Sequence, residues 1–246
     1  MSEASCMLSE KSIPTRERLI VALDVPGIED AKQLVTTLGD EVVFYKLGLE
    51  LFMSGDYDAL IDWLKAQGKK VFADLKFHDV PETVARAVRQ LARRDVDFAT
   101  VHGGNDAMLK AAADAKGGVR ILAVTVLTSL NQDDLEDLGF QCAVKDLVLS
   151  RARRALELGC DGVISSGLEA AELRECLGER FLIVSPGIRP LENRLVDDQK
   201  RVVTVEEAFM KGADYIVVGR PIRDAGDPRA KAREIQAKIE DLFAGS

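Results

Sequence analysis

The sequence predicts an α/β fold and, within that class, a single (β/α)8 barrel, the TIM barrel. Eight apolar runs alternate with amphipathic segments from one end of the chain to the other. Most of these runs are near-continuous stretches of Val, Ile and Leu, which is typical of parallel strands buried on both faces. The length of 246 residues matches the ~250 residues of one such barrel. An open, doubly wound parallel sheet is the alternative that the same pattern allows.

The strands are predicted from the apolar runs, in chain order. They cover Leu19–Leu23, Val42–Leu47, Lys70–Leu75, Phe98–His102, Val119–Leu127, Gly162–Ser165, Phe181–Ser185 and Tyr215–Gly219. Helical periodicity is clearest between these runs at Tyr57–Ala66, Val80–Arg93, Lys145–Leu158 and Ala230–Phe243. Pro81 stands near the start of the second of these helices, where a residue without an N–H group is well tolerated.

No linker or low-complexity segment divides the chain, so we predict one barrel domain, residues 19–246, after a polar N-terminal tail, residues 1–18. The tail lacks the apolar core of a signal peptide, and no apolar run approaches the ~20 residues of a membrane span. A net charge of −8 argues against nucleic acid or an anionic membrane as the main partner. Four scattered cysteines without a CxxC pair fit free thiols in a reducing compartment. We therefore expect a soluble cytoplasmic protein.

The residues at the predicted carboxyl ends of the strands, where barrels of this type place their active sites, are mostly charged or polar. They are Asp24, Lys46, Asp74, Lys76, His102, Thr128, Ser129, Ser165, Ser166, Pro186, Arg189, Gly219 and Arg220. Strand ends are wet and naturally polar, which is the plain alternative for any one of these residues. It explains the set less well, because Lys46, Asp74 and Lys76 fall on neighbouring strands at one mouth of the barrel.

The densest group of charges is Asp74-Leu-Lys76-Phe-His78-Asp79, at the end of the third strand. Side chains alternate along a strand, so Asp74 and Lys76 are predicted to share one face. Charges buried there are costly unless they are paired or used. A structural salt-bridge network is one alternative, and Mg²⁺ held by Asp74 and Asp79 is another. We predict no metal, because Lys46 and Lys76 bring positive charge into the same space.

Two features late in the chain indicate an anion site. Gly219 and Arg220 follow the eighth strand, and the loops after strands seven and eight of such barrels often hold a phosphate. Glycine lets the backbone approach an anion closely. Gly187–Arg201 is the longest stretch without an apolar pattern, and a loop of that length is usually functional or disordered. We predict phosphate binding at Arg220; an ordinary surface arginine is the alternative.

In combination, these motifs resemble the orotidine 5′-phosphate decarboxylase family, in its bacterial branch. The signature Asp74-x-Lys76-x-x-Asp79-x-Pro81-x-Thr83 carries the resemblance, which extends from about residue 18 to residue 240. The other matching segments are Ala22–Asp24, Tyr45–Gly48, Leu127–Ser129, Ser185–Pro190, Asp198–Arg201 and Val218–Ile222. The DxKxxD element alone is not specific, whereas the combination is.

The resemblance implies that the protein converts orotidine 5′-monophosphate to UMP and CO₂, the last step of de novo UMP synthesis. It implies neither a metal nor an organic cofactor. It also implies a homodimer in which Asp79 and Thr83 reach into the partner's active site. Lys76 would be the proton donor to the C6 carbanion, within a charge array formed by Lys46, Asp74, Lys76 and Asp79.

The resemblance also implies the substrate contacts. Asp24 and Thr83 would hold ribose hydroxyls, and Lys46 would balance Asp74 and bridge toward the ribose. The full predicted substrate-binding set is Asp24, Lys46, Asp74, Thr83, Thr128, Ser129, Pro186, Arg189, Gln199, Gly219 and Arg220. Ser129 would face the pyrimidine, and Gln199 would join the two arginines and Gly219 at the phosphate. Closure of the loop at residues 187–201 on the phosphate would exclude water.

Two rival interpretations remain at this point. The first is a Mg²⁺-dependent relative of the same superfamily, a 3-keto-gulonate-phosphate decarboxylase or a hexulose-phosphate synthase. Those enzymes share the DxKxxD element but place a metal-binding glutamate where this sequence has Lys46. The second is an inactive barrel that only binds nucleotides or acts as a scaffold, and the complete set of charged motif residues argues against it.

Overall fold

A computed structural model describes residues 8–189 and 202–244 of the chain. Eight parallel strands close into a barrel, in which each strand pairs with its neighbours in sequence. Strands β1 to β8 cover Leu19–Ala22, Phe44–Leu47, Lys70–Phe77, Phe98–His102, Arg120–Val124, Gly162–Ile164, Leu182–Ser185 and Tyr215–Val218. The pairing of β1 with β8, which sets Val21 beside Val218, excludes the open sheet. The predicted (β/α)8 barrel is confirmed.

Helices lie between the strands in sequence and cover the outside of the barrel. Helices α1 to α6 cover Ile28–Leu38, Leu49–Met53, Tyr57–Ala66, Pro81–Arg93, Asp106–Ala115 and Gln132–Asp137. Helices α7 to α11 cover Val144–Glu157, Ala170–Leu177, Val205–Met210, Arg220–Arg223 and Pro228–Phe243. Pro81 is the first residue of α4. Within residues 8–189 and 202–244, no helix is both long and apolar enough to cross a membrane.

Aromatic rings fill the inside of the barrel. Phe44 packs edge to face on Phe98, with ring centroids 4.9 Å apart, and Phe72 and Tyr215 pack on Phe98 in the same manner. Burial of each ring contributes about 1.5–3 kcal/mol, and edge-to-face pairs add about 0.5–1.5 kcal/mol. Because side chains alternate along a strand, the residue two positions beyond Phe98 also faces inward, nearer the mouth. That residue is Thr100.

Helix α4, which follows the charged motif in sequence, packs on the barrel through one apolar face. Val84, Val88 and Leu91 are buried along one face of the helix, at the spacing of four and three residues that one helical stripe requires. Glu82 and Arg86 lie exposed on the opposite face, joined by an ion pair. The apolar stripe therefore fixes the start of α4, and with it the loop that leaves β3.

Two strands, β3 and β5, end two or more residues away from their predicted carboxyl ends, whereas the carboxyl ends of the other strands lie within one residue of the prediction. Strand β3 extends to Phe77, two residues beyond the predicted end at Leu75, and its register with β4 shifts between Ala73 and Phe77. Strand β5 ends at Val124, whereas the apolar run continues to Leu127. Val126 and Leu127 line the mouth of the barrel instead of pairing in the sheet. An apolar run shows that a segment is buried, but it does not distinguish a strand from a buried loop.

Residues 8–18, the described part of the predicted tail, pack on the barrel at the amino ends of the strands. Ser9 donates a hydrogen bond to the buried carboxylate of Asp214, and Lys11 Nζ lies 3.0 Å from the same group. Ile13 contacts the apolar cluster inside the barrel. This segment therefore covers the face of the barrel opposite the mouth.

Candidate active site

A cleft of about 380 Å³ opens at the carboxyl ends of the strands, a volume in the range of small-molecule sites. Its lining brings together ten of the predicted site residues, Asp24, Lys46, Asp74, Lys76, Thr128, Ser129, Pro186, Arg189, Gly219 and Arg220. Apolar side chains of the strands, among them Phe72, Val124 and Val217, complete the lining. The cleft therefore combines an apolar lining with a few convergent charges.

Lys46 stands on β2 between two carboxylates. Its Nζ lies 3.0 Å from Asp24 Oδ1 and 3.5 Å from Asp74 Oδ2. The register of β1 with β2 sets Ala22 beside Lys46, so Asp24, two residues further on, reaches the amine from the neighbouring strand. Gly48 leaves the space that this requires, because a Cβ atom there would lie 3.3 Å from the Lys46 Nζ.

Asp74, on β3, is the centre of the cluster. Both of its carboxylate oxygens lie 2.9 Å from the Nζ of Lys76. Its Oδ1 also accepts a hydrogen bond of 3.0 Å from the Thr100 hydroxyl. The Asp74 side chain is 12% exposed, whereas that of Lys76 is 32% exposed and borders the open cleft. The proximity of Asp74 and Lys76 agrees with the sequence analysis, although the irregularity of β3 contributes to it.

The buried charges of the cluster keep one another ionised. Burial alone would raise the pKa of Asp74, but the ammonium groups of Lys46 and Lys76 outweigh it and hold that pKa below its usual value. Burial likewise would lower the pKa of Lys46, but Asp74 and Asp24 outweigh it, so that this pKa is raised. The buried pair of Asp74 and Lys46 is therefore a carboxylate and an ammonium group at neutral pH.

Asp79 and Thr83 lie outside the cleft of their own chain. Both are exposed, Asp79 in the loop after β3 and Thr83 in the first turn of α4. The Asp79 carboxylate accepts a hydrogen bond of 2.6 Å from the backbone N–H of Val80. Of the four residues in the predicted charge array, Lys46, Asp74 and Lys76 contact one another within a single chain. Asp79 does not join them there, whereas Asp24 does, through Lys46.

The opposite wall of the cleft carries the predicted anion-binding residues. Arg189 is buried, and Arg220 is exposed at the start of α10. Gly187 has a φ of +76°, in the left-handed region that favours glycine. Gln199 and most of the predicted closing loop lie outside the described residues.

The structure adds two residues that the sequence analysis did not single out. Thr100 contacts Asp74; its inward position on β4 follows from the alternation of the strand, but nothing in the sequence distinguishes it from an ordinary strand threonine. Arg223 lines the cleft and donates a hydrogen bond to the backbone carbonyl of Asp24. Only the turn from β8 into α10 brings Arg223 there, so no strand or helix periodicity of the sequence indicates it.

The two histidines of the chain contact each other beside the cluster with their rings tilted by 41°, and neither lines the cleft. The rings of His78 and His102 have centroids 5.1 Å apart. Burial lowers the pKa of His102, and the neighbouring charges of His78, Lys76 and Arg151 lower it further. In the part of the chain that the structure describes, no group of three or more His, Cys, Asp or Glu side chains is arranged to hold a metal ion.

Comparisons with known proteins agree on one family. A family model described as "Orotidine 5′-phosphate decarboxylase / HUMPS family" matches residues 17–235. An orotidine 5′-phosphate decarboxylase of Methylococcus capsulatus is 68% identical over 237 residues, 96% of this chain and 98% of the relative. One of Xanthomonas oryzae is 52% identical over 228 residues, 92% of this chain and 93% of the relative. A crystal structure of orotidine 5′-phosphate decarboxylase from Lactobacillus acidophilus has 39% identity and a TM-score of 0.80, covering 91% of this chain and 99% of that one.

Proposed function

The chain belongs to the orotidine 5′-phosphate decarboxylase / HUMPS family and is a carboxy-lyase, and on this premise we propose that it converts orotidine 5′-monophosphate to UMP and CO₂. The reaction would be the last step of de novo UMP synthesis. The family model alone covers more than one activity, but the relatives that match almost the whole chain are named for this reaction.

One observation carries the proposal: the buried carboxylate of Asp74 lies against two ammonium groups at the mouth of a closed barrel. Loss of CO₂ from C6 of the pyrimidine leaves an electron pair in the plane of the ring, where it is poorly delocalised. An enzyme without an electron-accepting cofactor must stabilise this charge with preorganised groups. Lys46 and Lys76 supply such charge, and their contacts with Asp74 hold them in place before substrate arrives.

Lys76 is the proton donor in this proposal. Lys76 lines the cleft, and its contacts of 2.9 Å to both oxygens of Asp74 orient its ammonium group. An ammonium group beside C6 stabilises the developing carbanion and then gives it a proton as a general acid. Lys46 balances the charge of Asp74 and, with Asp24, faces the ribose.

The reaction as proposed needs neither a metal nor an organic cofactor. Lys46 occupies the position where the Mg²⁺-dependent 3-keto-gulonate-phosphate decarboxylases and hexulose-phosphate synthases place a glutamate. Its Nζ contacts Asp24 and Asp74, so both carboxylates already have a cation as partner. A divalent ion would have to displace that ammonium group, which supports a decarboxylase that works in the presence of a chelator.

The rest of the cleft is assigned to the nucleotide. Thr128 and Ser129 would contact the pyrimidine, and Pro186 borders the same space. The phosphate would lie between the arginines of the opposite wall, Arg189 and Arg220, close to Gly219. Gln199 is proposed as a further phosphate ligand from the resemblance alone. Binding energy from the phosphate, which is remote from the bond that breaks, would drive closure of the loop at residues 187–201.

We propose a homodimer in which Asp79 and Thr83 complete the partner's site. Both residues lie outside the cleft of their own chain, so they can act there only from a second copy. Apolar side chains are exposed beside them, with Met53 of α2 at 77% and Val80 at 63%. Strands β2 and β3 pair directly, so α2 and the loop after β3 stand side by side at the mouth. Apolar surface of this kind is typical of a permanent interface.

We also propose that the enzyme acts in the cytoplasm. The three cysteines within the described residues, Cys142, Cys160 and Cys176, are free thiols. Free thiols are typical of a reducing compartment.

The deciding experiment is a turnover assay on orotidine 5′-monophosphate in the presence of EDTA, followed by the absorbance of the pyrimidine. We expect full activity with EDTA and a loss of many orders of magnitude in Lys76→Ala, whose circular dichroism spectrum should match that of the unaltered protein. Activity that EDTA abolishes would support the metal-dependent relatives. A folded wild-type protein without turnover would support a scaffold, and substantial turnover by Lys76→Ala would exclude this lysine as the proton donor.

A further inference from the structure

We propose that Thr100 is a positioning residue that fixes both the carboxylate of Asp74 and the backbone of Lys76, an inference that rests on the proposed decarboxylation. Thr100 is fully buried on β4, beneath the cleft and outside its lining. It therefore does not contact the substrate, and any effect on the reaction must pass through the two residues that it holds.

The backbone of Lys76 has an uncommon conformation that needs an explanation. Its φ is +48°, in the left-handed region that residues other than glycine rarely adopt. The other non-glycine residues with positive φ in the described chain are Asp56 and Asp95, and aspartate tolerates this region because its short side chain bonds locally. Lys76 has no such property, so the surrounding structure must hold it there.

The left-handed residue coincides with the irregularity of β3. The register between β3 and β4 shifts between Ala73 and Phe77, so the backbone N–H of Lys76 has no regular partner in the sheet. It donates instead to the Thr100 Oγ1 at 2.9 Å. A local irregularity of this kind redirects a side chain, and here it accompanies the approach of the Lys76 Nζ to both oxygens of Asp74.

The direction of each hydrogen bond at Thr100 is fixed by chemistry. A hydroxyl group has one proton to donate and two lone pairs to accept with. The N–H of Lys76 can only donate, so Oγ1 accepts from it. The single hydroxyl proton is then available to Asp74 Oδ1, 3.0 Å away. One buried hydroxyl thus satisfies the main chain of Lys76 and one oxygen of Asp74 together.

These contacts form a closed ring of three residues. Thr100 bonds the backbone of Lys76 and the carboxylate of Asp74, and the Lys76 ammonium group bonds the same carboxylate. Without the hydroxyl, the N–H of residue 76 loses its acceptor and the backbone loses the contact that holds it in the left-handed region. The ammonium group would then move relative to C6, and a displacement of ~1 Å can cost about 100-fold in rate. The groups assigned to the ribose and phosphate, Asp24 and Arg220, would stay in place.

The test compares Thr100→Val, which keeps the branched shape and removes the hydroxyl, with Thr100→Ser, which keeps the hydroxyl. We expect Thr100→Val to lower kcat by roughly 10- to 100-fold, with KM and the affinity for UMP changed by less than about 3-fold. Thr100→Ser should retain kcat within about 3-fold. Thr125→Val is the matched control, because Thr125 is a buried threonine just beyond the end of β5 whose hydroxyl bonds only the backbone carbonyl of Ile164, and its kcat should stay near the wild-type value.

Several outcomes would overturn the inference. If the wild-type enzyme turns over and Thr100→Val retains its kcat, the hydroxyl does not position Lys76. If Thr100→Val and Thr100→Ser lose activity equally, packing is responsible and the hydroxyl is not. A crystal structure of Thr100→Val in which φ of Lys76 stays near its present value would also contradict the proposal, whatever the kinetics. A wild-type protein without turnover would refute the proposed function instead, and the crystal structure would still decide the role of Thr100.

Discussion

Replacing Asp74 by asparagine keeps the shape of the side chain and removes its charge, which tests whether the cluster at the mouth of the barrel neutralises itself. In the wild-type protein, the carboxylate lies 2.9 Å from the Lys76 Nζ and 3.5 Å from the Lys46 Nζ. Each of these contacts is worth roughly 5 kcal/mol at an effective dielectric constant of ~20, and desolvation of the buried ions opposes them by several kcal/mol. The lowered pKa of Asp74 indicates that attraction exceeds desolvation, so Asp74→Asn should be less stable.

The expected loss is about 3 kcal/mol, the lower end of what is found when one partner of a buried ion pair is removed. For a chain of this size, a loss of 1 kcal/mol lowers Tm by about 2–4 °C, so Tm should fall by about 6–12 °C. Thermal and urea unfolding followed by circular dichroism measure both quantities. Asp24→Asn is the matched control, because Asp24 contacts Lys46 at 3.0 Å but its side chain is 47% exposed. That pair should contribute less than about 1 kcal/mol.

The dependence on pH gives the same prediction a second test. A carboxylate whose pKa is lowered by folding stabilises the protein fully above its unfolded pKa of ~3.9 and loses that contribution as the pH falls through the folded value. The difference in stability between wild type and Asp74→Asn should therefore be constant from about pH 5 to pH 8 and should shrink below about pH 4. If Asp74→Asn melted at or above the wild-type temperature at pH 7, desolvation of the buried charges would outweigh their attraction, and the argument for a self-neutralising site would be wrong.

Three further predictions test other parts of the molecule. Arg220→Ala should lower kcat/KM by roughly 10- to 100-fold, because it removes a charge-assisted contact to the phosphate. Part of this loss should appear in kcat at saturating substrate. An effect on KM alone would contradict the role of the phosphate in loop closure. Mixing inactive Lys76→Ala with inactive Asp79→Ala should restore about a quarter of wild-type activity after subunit exchange. Half of the dimers are then mixed, and each mixed dimer has one intact site out of two. If native mass spectrometry shows exchange but no activity returns, the shared site is contradicted. Asp214→Asn should destabilise the protein by about 3–5 kcal/mol in urea unfolding and leave kcat of the folded protein unchanged; a loss of kcat at full folding would contradict a structural role.

The order of the strands and most of the mouth could be predicted from the sequence, because both follow from local patterns. Apolar runs identify strands, and the parallel arrangement then brings their carboxyl ends to one face of the barrel. Lys46 and Asp74 could be assigned to the mouth without any knowledge of their contacts. The homodimer and the contribution of Asp79 remain predictions, because one chain alone does not test them, and Gln199 remains one because it lies outside the described residues.

Thr100 could not be singled out in the same way. A threonine inside a strand is ordinary, because β-branched residues suit the pleated backbone. Its role depends on the left-handed backbone of Lys76 and on the shifted register of β3, and neither follows from a pattern of apolar residues. Strict alternation predicts that Asp74 and Lys76 share a face, but the contact between them arises where β3 departs from a regular strand.

Another buried carboxylate, Asp214, lies at the opposite face of the barrel. Comparing its surroundings with those of Asp74 distinguishes a structural charge cluster from a catalytic one. Asp214 is fully buried and accepts hydrogen bonds from the side chains of Arg174, Lys11 and Ser9 and from the backbone N–H of Ile183, the last at 2.8 Å. Its donors come from the tail, a helix and a neighbouring strand, so it ties those elements together.

Asp74 is nearly as buried, but its partners are arranged differently. Lys76 uses its ammonium group on both oxygens of Asp74 and remains a third exposed, at the edge of the open cleft. An ammonium group has three protons to donate, so a partly exposed one can still act on a molecule that enters the cleft. Burial and ion pairing are common to both clusters, and neither property identifies function. The difference is that the cations around Asp214 face other parts of the protein, whereas Lys76 faces a space of the size of a small molecule, which is why the reaction is assigned to this end of the barrel.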